Sequence, residues 1–347
     1  MNVSTEKLGN NLESFVLTND KMMKVTLVNY GAAIAGIEVP DRDGKSADVT
    51  LGHADLCNYV GGRFYLGATV GRFANRIRYG KFVIDGKEYQ VTVNSKGNHL
   101  HGGTVGFDKH YWKSRIVNQN DDASVEFTLF SPDGDEGFPG TMQVKVLYSL
   151  TKDNQFKMKY TATTDKPTIV NLTNHGYFNL TGSPANTILD HFLAINSNCF
   201  TPTDDLSVPT GEIRNVANTP LDFRKSTAVG DRINDSYEQL KLANGYDQNF
   251  VLNDFTGNVR QAARLYEPST GRLLEVLTDQ PGVQLYSGNY LDGKVVGKGG
   301  IPIRPRSGLC LECQDFPNAP NVKLFPSVVL RPGQAYKRTT IYQFGVD

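Results

Sequence analysis

Cysteine is scarce in this chain, with four in 347 residues. That is too few for the disulfide framework of a small secreted scaffold, so a reducing, cytoplasmic setting is expected. An excess of charge of either sign is missing too: 36 Lys+Arg face 36 Asp+Glu, for a formal net charge of zero. A nucleic-acid binder needs a basic stripe to meet phosphates, and no block of like charge supplies one. Neutral small molecules are therefore the expected partners, and nucleic acid is not. Long apolar runs are also absent. The longest, YGAAIAGIEVP, is about half of what a bilayer-spanning helix requires. The opening MNVSTEKLGN lacks the positive and apolar regions of a secretory signal, so neither membrane insertion nor export is expected.

Helical periodicity is equally scarce, and in its place the chain has alternation and turn chemistry. In QVKVLYSL, Val144, Val146, Tyr148 and Leu150 share one face. After the turn TKDN, Phe156, Met158 and Tyr160 do the same, which predicts a hairpin. FVIDGKEYQVTV predicts another, because Asp85-Gly86 tolerates the positive φ angles of a two-residue turn. Further turn signals stand at DRDG (41–44), SPDGDEG (131–137) and RPG (331–333). The 34 glycines and 16 prolines are spread throughout rather than gathered into a linker. The expectation is one continuous all-β domain over residues 1–347, built from many short strands. A few helical turns are expected only near STAVGDRINDSYEQL (226–240). No internal repeat or low-complexity segment is present.

SGLCLECQDFP (307–317) places one glutamate, Glu312, between two cysteines in an apolar run. A charged side chain in such a run has either solvent or a task. Cys310 and Cys313 have CxxC spacing. Three strand steps would separate them by roughly 10 Å on opposite faces, too far for a disulfide and unsuited to a shared metal. Alternation puts Leu309, Leu311 and Cys313 on one face and Cys310, Glu312 and Gln314 on the other. Glu312 then faces either water or a cleft, with the cysteines incidental to its role.

NLTNHGYFNL (171–180), if extended, lines up Asn171, Thr173, His175, Tyr177 and Asn179 on one face. These are short hydrogen-bonding groups suited to a fixed polar ligand, although polar faces are common in antiparallel sheets. GNHLHGG (97–103) sets His99 and His101 two apart, a spacing that can ligate metal, but no third ligand with matching spacing follows. The glycines after His101 would let a ligand approach the backbone. GRFANRIRYG (71–80) supplies Arg72, Arg76 and Arg78 around Asn75, as solvated edge-strand arginines or as donors to ligand hydroxyls. GYDQNFVL (245–252) holds Asp247 as a turn cap or a ligand group. GNYLDGKV (288–295) matches seven positions of a phosphate-cradling loop, yet Val295 cannot hold magnesium, Asp292 would repel phosphate, and no helix pattern follows.

Taken in order, ATVGRFANRI, HLHGG, GFDKHYW, DGDEGFPG, NLTNHGYFNL, LDFR, GYDQNF, TDQPGVQLYSGN and GLCLECQDFP resemble the landmarks of the aldose 1-epimerase (galactose mutarotase) family, from about Leu8 to Phe344. The resemblance implies a β-supersandwich of large twisted antiparallel sheets, with few short helices and a sugar cleft. It implies Glu312 as general base, His175 as general acid and His101 as a second active-site histidine. It also implies Asn75, Arg76, Asp247 and Gln284 as binders of sugar hydroxyls. Gln248 departs from a histidine common in the family, and Asn318 from an aspartate, which touches fine specificity rather than the reaction. The implied substrates are monosaccharides such as galactose and glucose. No nucleotide or metal cofactor is needed, since no electrons move and no group leaves. A monomer or weak homodimer fits the resemblance. A nearby glutamate charge would favour a protonated histidine, so Glu312 is expected ionised and His175 protonated together. Three alternatives stay open: a carbohydrate-binding protein without catalysis, a glycosidase using Glu312 with Asp247, and a hexose-6-phosphate 1-epimerase, which would demand extra cations in the cleft.

Overall fold

A computed structural model of the chain describes residues 1–9, 11–119 and 122–347. The described residues form antiparallel sheets, three of them large, with a single short α-helix. The largest has nine strands, in the order Lys113–Gln119, Asp122–Ser131, Met142–Leu150, Gln155–Thr164, Tyr336–Val346, Arg272–Thr278, Arg260–Tyr266, Phe192–Ile195 and Thr227–Ala228. A five-stranded sheet runs through Asn2–Gly9, Leu12–Thr18, Lys24–Val28, Ala33–Pro40 and Ser46–Asp48. A six-stranded sheet is ordered Tyr177–Phe178, Leu309–Gln314, Gly282–Tyr286, Asp247–Leu252, Ser197–Thr201 and Arg214–Asn215.

Alternation explains how the sheets stack. Val144, Val146, Tyr148 and Leu150 are fully buried, as are Phe156 and Met158 on the paired strand, so the predicted hairpin forms with its predicted face inward. Phe15 and Leu17 of the five-stranded sheet join the same core, where Phe15 meets Phe127 edge-on at 5.6 Å. Side chains of this size each contribute roughly 1.5–3 kcal/mol when fully buried. The six-stranded sheet turns Leu309, Leu311 and Cys313 into that core and leaves Cys310 and Glu312 on its other side. The DG hairpin also forms, with Asp85 at φ 51° and Gly86 at φ 79°.

Three expectations are corrected. NLTNHGYFNL is not one strand: Thr173–Asn174 and Tyr177–Phe178 are two separate short strands, Asn171 makes an isolated bridge to Phe73, and every residue of the stretch is buried. With no solvent face, its short polar side chains hold distant backbone. Asn171 donates to the carbonyls of Ala74 and Asp315, Thr173 to that of Cys313, and Asn179 to those of Asn186 and Ser307. The helical turns expected at 226–240 shift toward the C-terminus, to Glu238–Ala243, because Gly230, Asn234 and Asp235 favour turns and Thr227–Ala228 joins the nine-stranded sheet. Arg72 is no solvated edge residue. It is 2% exposed, and its guanidinium donates to the carbonyls of Ser131, Pro132, Pro139 and Gly140. Arg72→Met keeps the stem but strands those acceptors, and should lower stability by about 3 kcal/mol, read as a shift in the urea midpoint.

Among the described residues, no helix is long and apolar enough to cross a membrane. All four cysteines are unbridged, and the buried pair Cys310 and Cys313 is divided between the two faces of its strand.

Candidate active site

The outer side of the six-stranded sheet forms the floor of a hollow of about 240 Å³, lined by Phe64, Tyr65, Asn75, Arg76, Leu100, His101, His175, Tyr177, Asp247, Tyr286, Tyr290 and Glu312. It lies where the apolar clusters meet. Leu311 beneath Glu312 belongs to the main core, Tyr177 and Cys310 to a second cluster, and Phe73 and Ile77, on either side of Asn75-Arg76, to a third. Rigid packing on three sides fixes the groups around the hollow.

Six of the seven residues singled out from the sequence line this hollow: Glu312, His175, His101, Asn75, Arg76 and Asp247. Gln284 does not. Its side chain is buried beside the cleft, donating to Asp247 Oδ1 at 2.7 Å and accepting from Gln314, so it holds Asp247. The residues are far apart in sequence and meet through pairing. Glu312 sits opposite Gln284, and Asp247 opposite Tyr286. His175 lies between the short strands Thr173–Asn174 and Tyr177–Phe178, which pair with Thr69–Val70 and with Leu309–Gln314.

At the floor, His175 Nε2 stands 3.7 Å from Glu312 Oε2. Both side chains are nearly enclosed, at 6% and 3% exposed, and Glu312 Oε2 has no hydrogen-bond partner. An unpartnered buried carboxylate oxygen is costly, and it is available to an incoming hydroxyl. His175 is packed between Tyr65, stacked at 5.6 Å, and Tyr177 at 5.0 Å, with the His101 ring edge-on at 5.3 Å. His101 Nδ1 accepts from the Asn75 backbone N–H at 3.1 Å, so its neutral ring carries hydrogen on Nε2 and can donate from there.

Burial governs the electrostatics. It pushes the Glu312 carboxyl well above its ordinary value; the Asp247 charge adds to this and the Arg76 guanidinium opposes it. It pushes His175 down to about 4, and His101 well below the usual imidazole value with the help of His175 and Arg76. Desolvation of both groups therefore works against the expected ionised pair. A protonated glutamic acid beside a neutral imidazole nonetheless holds the same number of protons as carboxylate beside imidazolium. The two forms differ only in where one proton sits.

The HxH spacing is not a ligand pair. His99 is fully buried and turned elsewhere, with its Nδ1 on the Thr92 carbonyl at 2.8 Å and its ring edge-on to Phe138. Among the described residues, the grouping that could hold a metal ion is His101, His175 and Glu312, whose ligand atoms lie within 4.8 Å of one another. Those are the atoms that an acid, a base and a donor for a sugar would use. Arg78 pairs with Asp204 outside the cleft, and Arg72 is held by the loop carbonyls, which leaves Arg76 as the cation among the lining residues.

Sequence reading missed the aromatic walls Phe64, Tyr65, Tyr286 and Tyr290. Phe64 and Tyr65 both adopt positive φ, at 65° and 54°, an uncommon backbone state for aromatics. The signal available was GGRFYLG, two aromatics bracketed by glycines. Tyr290 comes from the rejected phosphate-loop lookalike: its N–H donates to the Tyr286 hydroxyl at 2.9 Å and the two rings stack at 6.5 Å.

Comparison with known proteins bears on what this hollow does. Residues 13–343 match the family model for aldose 1-epimerase. The galactose mutarotase of Bos taurus is 43% identical over 335 residues, covering 96% of this chain and 94% of that protein. The galactose mutarotase of Homo sapiens is 42% identical, covering 97% of this chain and 95% of its own. The aldose 1-epimerase of Escherichia coli K12 is 38% identical over 94% of each. The crystal structure of galactose 1-epimerase from Lactobacillus acidophilus NCFM has a TM-score of 0.87 at 33% identity, covering 99% of this chain and 98% of that one.

Proposed function

The chain belongs to the aldose 1-epimerase family, and from that premise we propose that it is a mutarotase interconverting the α and β anomers of D-galactose and D-glucose, with Glu312 as base and His175 as acid. The observation that carries the residue roles is the facing pair at the cleft floor, Glu312 Oε2 unpartnered and 3.7 Å from His175 Nε2.

The chemistry balances without any other reagent. Glu312 carboxylate takes the proton of the C1 hydroxyl while His175 imidazolium gives its Nε2 proton to the ring oxygen. The C1–O5 bond breaks, leaving an aldehyde, a protonated Glu312 and a neutral His175. That neutral pair is the form burial favours, so the site is suited to the open-chain state as well as the closed one. After rotation about C1–C2, His175 takes back the proton of the C5 hydroxyl, Glu312 returns its own to O1, and the ring closes on the other face. The Arg76 guanidinium opposes the effect of burial on Glu312 and so lessens the cost of ionising it. Asn75, Arg76 and Asp247 hold sugar hydroxyls, His101 donates through Nε2, and Gln284 keeps Asp247 in place. The aromatic walls offer the apolar face of the pyranose a flat surface and keep water from the acid and base.

Other parts of the proposal follow from the same features. Residues 1–347 act as one unit, supported by a nine-stranded sheet that pairs Gln155–Thr164 with the C-terminal Tyr336–Val346. Four unbridged cysteines suit cytoplasmic residence. A phosphorylated hexose would be poorly served, since Arg76 is the cation among the lining residues.

Polarimetry on freshly dissolved α-D-galactose tests the function. Rotation should relax to its equilibrium value faster in proportion to protein concentration, with no new reducing ends released from glycosides. Relaxation at the buffer rate would remove the proposal, and release of reducing ends would favour a glycosidase.

A further inference from the structure

One strand face addresses both nitrogens of one imidazole. Cys310 and Glu312 lie two residues apart on Leu309–Gln314 and project to the same side. Glu312 Oε2 is 3.7 Å from His175 Nε2, and Cys310 Sγ is 3.5 Å from His175 Nδ1. We infer that Cys310 is a positioning residue for the proton transfer proposed above, on which the inference rests: its sulfur accepts a hydrogen bond from Nδ1–H and so holds Nε2 toward the sugar.

The placement of the sulfur is a property of the sheet. Cys310 is fully buried and pairs in register with Tyr177, two residues after His175, so neither partner can drift independently. Burial pushes the thiol well above its ordinary value, and the charges of Glu312 and Asp247 act in the same direction, so the group stays an uncharged thiol. Once Nε2 has given its proton to the ring oxygen, the neutral imidazole that remains carries its hydrogen on Nδ1, the nitrogen that faces the sulfur.

The choice of sulfur has a chemical consequence. A carboxylate at Nδ1 would stabilise imidazolium and make it a weaker acid. A thiol is a weak acceptor. It orients the ring while adding no charge, and Nδ1–H stays in place throughout the cycle while the Nε2 proton goes to the sugar and returns. The cysteine that the sequence reading set aside as incidental therefore has a defined contact, while Cys313, on the opposite face, packs in the core.

The test uses the full chain labelled with ¹⁵N-histidine, with the His175 signals assigned by their loss in His175→Asn. At neutral pH the wild type should show a single neutral His175 tautomer with hydrogen on Nδ1. Cys310→Ala should give a mixture of tautomers and a kcat lower by about tenfold, with KM within about threefold, since only ring orientation is lost. Cys310→Ser should restore both the single tautomer and kcat to within about threefold, because a hydroxyl accepts from the same Nδ1–H. A wild-type tautomer with hydrogen on Nε2, an alanine variant with unaltered kcat, or a serine variant as slow as the alanine one would each overturn the inference. The spectrum reads the ring directly: Nδ1–H in a wild type that fails to mutarotate would refute the proposed function and leave the sulfur contact standing.

Discussion

Glu312→Gln is expected to lower kcat for mutarotation by about 10²–10⁴-fold while leaving KM within a few fold, because an amide can neither take the C1 proton nor return it. The variant keeps the shape of the cleft floor and the neighbours that grip the sugar, so binding monitored by a sugar titration should survive. Polarimetry at near wild-type rate would remove Glu312 from the mechanism. The same substitution carries a second expectation of opposite sign. Burial raises the folded-state pKa of Glu312 above the ordinary value of 4.5, so the folded protein binds a proton that the unfolded chain has released. Stability from that proton is fully present below about pH 4.5 and is lost as pH rises toward the folded-state value. Wild type has lost it in proportion by neutral pH, whereas the glutamine variant never had it to lose. The urea midpoint of the variant relative to wild type should therefore climb between pH 4.5 and pH 8. A gain in stability paired with loss of turnover is the mark of a buried group kept for chemistry rather than for folding.

What the sequence made legible was local. Period-2 alternation identified the hairpin at 142–164, because a strand buried on one side must place every second residue there. Asp85-Gly86 was readable because so few residue pairs accept two positive φ angles in succession. The reading failed where both faces of a segment are buried. NLTNHGYFNL has no solvent side, so alternation carries no information, and its amides answer to carbonyls as far away as Asp315. A resemblance transfers a residue but not the direction of its side chain, so the bond from Gln284 to Asp247 is visible only in the structure. The aromatic walls were hidden for a related reason. The paired aromatics of GGRFYLG hint at an unusual backbone, but a binding surface emerges only once Tyr65 lies on His175 and Tyr290 on Tyr286.

His175→Asn should cost about as much as the change at Glu312, roughly 10²–10⁴-fold in kcat, because asparagine has the hydrogen-bonding reach of an imidazole and none of its acidity. The double variant is the sharper test. Two groups that exchange one proton through one substrate act as a unit, so once either is gone the other has nothing to cooperate with. Glu312→Gln combined with His175→Asn is therefore expected to be about as slow as the slower single variant, whereas independent contributions would multiply to roughly 10⁴–10⁸-fold. Multiplicative losses would mean the two side chains serve separate steps, and the 3.7 Å contact between them would be coincidental packing. The pH dependence of stability supplies an independent check with its own sign. Burial lowers His175 from 6.5 to about 4, so as pH falls through that window the unfolded chain takes up a proton the folded chain refuses, and stability declines. His175→Asn should remove that part of the decline between pH 6.5 and 4, and an unchanged slope there would show that the wild-type imidazole is already protonated in the resting enzyme.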